Sequence, residues 1–233
     1  MALTLAIDLF CGLGGWTDGL LAEDWQVIGF DIERHDYGTG GYPAQLVIQD
    51  VLTLHGSQFR DAGLIVASPP CQAYSYRAMP WSRAKALPPP DNSLFEACFR
   101  IQKEAIAAAG RFIPLVVENV RGAQKWVGRS RWNYGSFHLW GDVPALMPIT
   151  KRLDAMKNDT PGSWFGINGS GKIQPRNDPR DKYVKQGGDW FNAESDSISR
   201  KTSGKSKARK AASARIAKIP FALSSYIARI YQS

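Results

Sequence analysis

Short apolar runs alternate with stretches of helical periodicity through the first two-thirds of the chain, the pattern of parallel βαβ units. Leu3 to Phe10 predicts a first strand, Trp16 to Ala22 a helix, Trp25 to Asp31 a second strand and Ala44 to Ile48 a third. Leu64 to Ala67 is short, apolar and halted by a proline pair. It predicts a central strand that ends in a carboxyl-end loop, the edge at which open α/β sheets collect ligands. Asn92 is placed to cap a helix reaching about Ala109, with Leu94, Phe95, Cys98, Ile101, Ala105 and Ile106 as its apolar stripe. Phe112 to Val117 predicts the next strand, with Glu118 and Asn119 at its carboxyl end, and Ser136 to Trp140 a later one. An α/β fold with a mainly parallel sheet is the expectation.

The pattern then changes. Thr150 to about Ser206 is polar, Gly-rich and aperiodic, an irregular insert, whereas Ala208 to Ile230 regains a helical pattern broken at Pro220. Three segments are expected: residues 1–149 as the main domain, 150–207 as a small appended region and 208–233 as a helical segment returning to that domain. A chain of 233 residues with 44% apolar content and 8 Trp has enough material for a buried core. Its start carries no basic leader-like segment and no run of ~18 apolar residues occurs, so no membrane association is expected and a cytoplasmic location is. Three cysteines, Cys11, Cys71 and Cys98, are too few and too scattered for a disulfide framework or a CxxC zinc site, and no metal is expected.

Charge adds a partner. The net charge of +8 is concentrated in Ser197 to Ser233, which holds nine Lys or Arg and no acid, against 20 basic and 21 acidic residues before it. A basic segment on a neutral body points to a polyanion, nucleic acid first; a solvated tail is the plainer alternative.

In Asp8-Leu9-Phe10-Cys11-Gly12-Leu13-Gly14-Gly15 a glycine turn lies between a strand and a helix, where missing side chains let a ligand approach the backbone and the helix N-terminus. The dinucleotide fingerprint would need glycine at position 17, which is Thr17, and the P-loop lysine is absent, which argues against NAD and ATP. An adenosyl ligand without a pyrophosphate fits better. Asp31, ending the second strand, is suited to ribose hydroxyls and Asp50, after the third, to an adenine amine. Together these features point to S-adenosylmethionine.

The second motif is Ser68-Pro69-Pro70-Cys71-Gln72. Amino-group methyltransferases carry a related run in which an aromatic residue stacks on the target base; here a thiol replaces that ring. The exchange makes sense for a carbon target, because cytosine C5 becomes nucleophilic only after a thiolate adds at C6. That addition places negative charge on the ring. A carboxylic acid donating to N3 relieves it, and Glu118 in Val117-Glu118-Asn119-Val120 is placed to do so. An ordinary thiol, with a pKa of ~8.5, is mostly protonated at neutral pH, so nearby positive charge matters; Arg129 and Arg131 are the candidates.

In their order these motifs resemble the DNA cytosine C5-methyltransferase family, in a short phage or prophage-type form. The glycine turn is similar to its cofactor signature, Pro69-Pro70-Cys71-Gln72 to its nucleophile signature and Glu118-Asn119-Val120 to its acid signature, across roughly residues 3–140. The resemblance implies a Rossmann-like methyltransferase fold dependent on S-adenosylmethionine, in a cytoplasmic, bacterial or phage-encoded monomer acting on double-stranded DNA. It implies that Cys71 attacks C6, that Glu118 engages N3 and the exocyclic amine, and that Phe10, Gly12, Gly14, Asp31, Ile32 and Asp50 surround the cofactor. Ala73 to Ala86 is similar to the family's mobile loop over the flipped base, in which Arg77, Arg83 and Lys85 would meet phosphates.

The family's Gln-x-Arg-x-Arg run survives only as Arg129-Ser130-Arg131 without the Gln, and its base-contacting role is carried to Arg131 or Arg129. The Gly-Asn expected near the C-terminus is missing around Ser213 to Pro220. Residues 150–207, short for a target-recognition region, offer Trp164, Arg176 and Arg180 for wedging and phosphate contact, which predicts a short or relaxed site. Two alternatives stay open at this point: an RNA cytosine-5 methyltransferase on the same scaffold, and a catalytically idle DNA-binding module.

Overall fold

A computed structural model describes residues 4–36, 40–75, 86–147, 210, 211, 214 and 217–232. Seven strands form one sheet: β1 (Leu5–Leu9), β2 (Gln26–Asp31), β3 (Gln45–Ile48), β4 (Leu64–Ala67), β5 (Leu115–Asn119), β6 (Trp132–Tyr134) and β7 (Phe137–Gly141). Their spatial order is β3-β2-β1-β4-β5-β7-β6. The pairs among β1 to β5 are parallel, and β7 runs antiparallel to both β5 and β6. The mainly parallel α/β sheet expected from the apolar pattern is present. β1, β4 and β5 are apolar almost throughout because both of their faces are covered.

Helix α1 (Gly15–Ala22) follows β1, and α2 (Ser93–Ala109) precedes β5. Helix α2 ends where Gly110 takes the left-handed conformation and its amide bonds Ile106 O. Phe95, Cys98, Ile101 and Ala105 of α2 pack with Ile7, Leu9, Ile65, Leu115 and Val117 into the main core. A short α3 (Gln124–Val127) follows β5, and α4 (Phe221–Tyr231) lies near the C-terminus. Helix α4 is held against α1 and the turn after it: Ser225 Oγ donates to Glu23 Oε1 at 2.6 Å, Arg229 forks onto the same carboxylate, and Trp25 Nε1 donates to Ala228 O.

The chain divides into two compact units, Met1–Pro148 with Lys218–Ser233, and Ile149–Ala217. Among the described residues no helix is long and apolar enough to cross a membrane, and no group of three or more His, Cys, Asp and Glu is placed to hold a metal ion.

Three boundaries differ from expectation. The strand predicted from Phe112 begins at Leu115, because Pro114 lacks the N–H a ladder needs; Phe112 stands outside, 62% exposed. Asn92 occupies the N-cap of α2 but its side chain makes no capping hydrogen bond, and Asp91 Oδ1 accepts the Ser93 amide. The later strand is not a lone β7: Trp132–Tyr134 turns back as β6 to make a hairpin with it.

Candidate active site

The sheet reverses direction of growth between β1 and β4, since the chain builds outward to β2 and β3 on one side and to β5 on the other. Loops leaving the carboxyl ends of the two strands flanking such a point frame a crevice. Here they are the glycine turn after β1 and Ser68-Pro69-Pro70-Cys71 after β4, and both sequence motifs meet at one edge.

The glycine turn has an unusual backbone. Phe10 (φ 58°), Gly12 (φ 51°) and Gly14 (φ 72°) are all left-handed, and Phe10, a non-glycine there, represents strain of about 1–3 kcal/mol. At Gly14 a Cβ would also meet Pro43 Cδ at 2.7 Å. The Gly12 amide donates to Asp31 Oδ2 at 2.9 Å, which ties the turn to the end of β2. Asp31 is nearly buried; burial opposes its charge, but hydrogen bonds from His35 and the Gly12 amide outweigh that and hold its carboxyl below the usual range. Ile32 beside it is 69% exposed, and Asp50 Oδ1 accepts the Leu52 amide at 2.9 Å as the cap of a 3-10 turn.

Beneath the turn lies a group of residues that the motifs do not announce. Asp8 is fully buried in β1: Thr17 Oγ1 donates to its Oδ2 at 2.7 Å, Tyr42 Oη lies 2.5 Å from Thr17 Oγ1, and among the described residues Asp8 Oδ1 has no hydrogen-bond partner. Burial pushes the Asp8 carboxyl up to about 7, against the pull of the Thr17 hydrogen bond. A native carboxyl raised above its unfolded value of 3.8 keeps a proton that the unfolded chain releases. Its contribution to stability is therefore whole below the unfolded value and is lost as pH rises to about 7. Asp8→Asn, which cannot ionise, is expected to gain stability over the parent as pH rises, by an amount on the order of 4 kcal/mol. Thermal unfolding of both at about pH 4 and about pH 8 checks this; parallel pH curves would refute it.

The second motif is fixed at both ends. The Ser68 amide donates to Leu9 O at 3.1 Å, and Trp16 Nε1 donates to Ser68 Oγ at 3.0 Å. Asn119 Nδ2 donates to Pro69 O at 3.0 Å inside the protein, and its Oδ1 accepts the Val120 amide. Residue by residue, Ala67 pairs with Val117, so Ser68 and Glu118 come next on neighbouring strands. Cys71 is half-exposed just beyond, and Glu118 is 8% exposed.

After Cys71 the chain turns: its carbonyl accepts the amides of Tyr74 and Ser75, both at 3.0 Å. The Tyr74 ring is buried, and its hydroxyl donates to Asn92 Oδ1 at 2.9 Å. Gly122 lies so close to the Tyr74 carbonyl that no side chain fits between them. Asn92 has thus left its capping role, typically worth ~1 kcal/mol, to hold the turn that carries Cys71. Asn119 is legible in the chain only as part of the Glu118-Asn119-Val120 signature, and Tyr74, three positions after Cys71, carries no role there.

The arginines fall elsewhere. Arg129 and Arg131 are exposed, the Arg131 amide bonding Leu139 O at 2.8 Å just before β6. Strand β7 separates β6 from β5, and two strand spacings of roughly 4.8 Å each separate their backbones beside Glu118. Arg77, Arg83, Lys85, Trp164, Arg176 and Arg180 lie outside the described residues.

Solved structures similar to this chain are methyltransferases. One, assigned as a DNA modification methyltransferase encoded within an E. coli prophage, is 24% identical with a TM-score of 0.39, the match covering 53% of this chain and 34% of that one. The S. pombe Dnmt2 methyltransferase is 18% identical with a TM-score of 0.36, covering 53% and 36%. The Entamoeba histolytica methyltransferase EhMeth is 15% identical with a TM-score of 0.37, covering 54% and 40%. The chain thus spans little more than a third of the length of these proteins. No curated protein matches it. The C-5 cytosine-specific DNA methylase family matches residues 5–128, more than half of the chain, and the chain belongs to that family.

Proposed function

We propose that this protein transfers a methyl group from S-adenosylmethionine to C5 of cytosine in double-stranded DNA. The observation that carries the reading is the Asn119–Pro69 hydrogen bond, which joins the turn bearing Cys71, leaving β4 beside the reversal point of the sheet, to the neighbouring strand that bears Glu118. The left-handed turn at Phe10, Gly12 and Gly14, with the carboxylate of Asp31 beside it and Ile32 open to solvent, suits an adenosyl ligand. Phe10, Gly12, Gly14, Asp31, Ile32 and Asp50 would hold it, and when bound S-adenosylmethionine supplies an electrophilic methyl group.

Cys71 acts as the thiolate. Its sulfur bonds to C6 of the cytosine, and the displaced electron pair moves onto the ring. Glu118, protonated, donates to N3 and its second oxygen accepts from the exocyclic amine, so the charge meets a donor as it develops. C5 would then take the methyl carbon as its bond to the donor's sulfonium sulfur breaks, the electron pair staying on that sulfur. Loss of the C5 proton to solvent returns an electron pair that expels Cys71 and restores the ring.

Residues 150–207 are the proposed reader of the target, with Trp164, Arg176 and Arg180 meeting bases and phosphates, while Arg77, Arg83 and Lys85 meet phosphates beside the flipped base. Incubating the protein with labelled S-adenosylmethionine and duplex DNA is expected to yield labelled 5-methylcytosine, and bisulfite sequencing of DNA from expressing cells a short or relaxed site. Label in transfer RNA but not in duplex DNA would move the substrate to RNA. Tight DNA binding without transfer across many sequences would make the protein an idle binding module.

A further inference from the structure

Immediately after Glu118 the chain carries Arg121, Lys125, Arg129 and Arg131, and from Val120 to Gly141 it has no Asp or Glu. All four cationic residues are exposed, and none pairs with a carboxylate among the described residues. Most other described cations are engaged. Arg60, Arg100, Lys218 and Arg229 each lie within 4.0 Å of a carboxylate, and Arg111 donates to the carbonyls of Arg60 and Ala62. Among the described residues, this segment gathers four cations without a carboxylate partner and with no acid between them.

Its backbone is held firmly while the side chains are exposed, the Lys125 Nζ lying 4.7 Å over the Trp126 ring. Gln124 Oε1 accepts both the amide and the hydroxyl of Ser130 at 3.2 Å, and Ser130 Oγ lies 2.9 Å from His138 Nδ1. Trp140 Nε1 donates to Gly128 O at 2.9 Å, Ala123 is fully buried, and Gly122 rests on the Tyr74 carbonyl. Burial, aided by the Arg121 charge, keeps the His138 imidazole below its usual range, so this anchor stays neutral. A ligand meeting the segment has little backbone to order, which favours binding.

We propose that Arg121, Lys125, Arg129 and Arg131 form a rigid ledge that binds the sugar-phosphate backbone of double-stranded DNA beside Glu118. The inference rests on the DNA reading above and deepens it. A base engaged by Glu118 stays attached to its backbone, so phosphates must pass close to the residues that follow Glu118 in the chain. With one phosphate per ~3.4 Å of rise on each strand, four nearby cations can each find one. Arg129 and Arg131 then hold phosphates instead of the base, in keeping with their place beyond β7 from Glu118.

The test is a salt titration of binding to fluorescent duplexes, one carrying the methylated site and one unrelated, using the full chain. Replacing all four by Gln is expected to lower the slope of log K against log salt by about 3 to 4, and each single replacement by about 0.9. Affinity falls equally for both duplexes, because phosphates carry no sequence information. Arg60→Gln with Lys103→Gln, charges remote from Glu118, leaves the slope unchanged. The single variants keep the test valid if the fourfold variant does not fold. An unchanged slope in the ledge variants while the parent binds overturns the ledge alone. A loss confined to the target duplex overturns it in favour of base contact. Failure of the parent to bind duplex DNA at any salt overturns the DNA reading and the ledge with it.

Discussion

Cys71→Ser is expected to lose methyl transfer down to the level without enzyme and to lose the covalent complex that the parent forms with DNA containing 5-fluorocytosine. The hydroxyl is nearly isosteric, so the turn through Tyr74 and the Asn119–Pro69 hydrogen bond persist. What disappears is the sulfur nucleophile, since a serine hydroxyl is far less acidic than a thiol. The other two cysteines cannot stand in for it. Burial pushes the thiols of Cys98 and Cys11 well up, the latter also by the nearby Asp8 and Asp31 charges. Both therefore remain protonated, and they serve as internal controls: mild alkylation should label Cys71 in preference to either. Gel mobility of the fluorocytosine complex and the rate of label incorporation measure the two effects. Wild-type transfer by the serine variant would sink the covalent route.

Glu118→Gln is expected to slow a single turnover by about 10²- to 10⁴-fold, the usual contribution of a positioned acid. The amide matches the carboxyl in size and occupies the same nearly buried position at the end of β5, so unfolding is not the anticipated cause. It can form hydrogen bonds to the cytosine but has no acidic proton to share as charge develops at N3. DNA affinity measured by titration should fall far less than the rate. If the single-turnover rate fell by less than a few-fold, Glu118 would be a structural residue and the acid would have to be sought elsewhere.

The two variants also separate the halves of the site. The Cys71 change abolishes adduct formation, whereas the Glu118 change slows it without removing the sulfur. This division follows from the geometry: Cys71 stands on a turn after β4 and Glu118 on the strand beside it, joined through Asn119.

Much of this was legible along the chain. Strands buried on both faces read as short apolar runs, and so β1, β2, β4 and β5 were recognisable within a few residues. The glycine turn and the Cys71 loop were readable too, because their chemistry requires particular residues close together in sequence. Hairpin strand β6 was not, since Trp132-Asn133-Tyr134 has no alternation long enough to read and exists by pairing with β7. That pairing also sets Arg131 against β7, with β7 between it and the strand that carries Glu118.

Local sequence thus set the strands, the glycine turn and the two motifs that carry Cys71 and Glu118, because each depends on neighbours within a few positions. Assembly decided the rest. The buried Asp8–Thr17–Tyr42 group, the diversion of Asn92 from its helix to Tyr74, and the tie from Asn119 to Pro69 span 9 to 50 positions in the chain. No periodicity encodes such contacts. They arise when a parallel sheet reverses its order and brings the ends of distant strands to one edge, where burial makes each polar group find a partner or leaves it, like one oxygen of Asp8, without one.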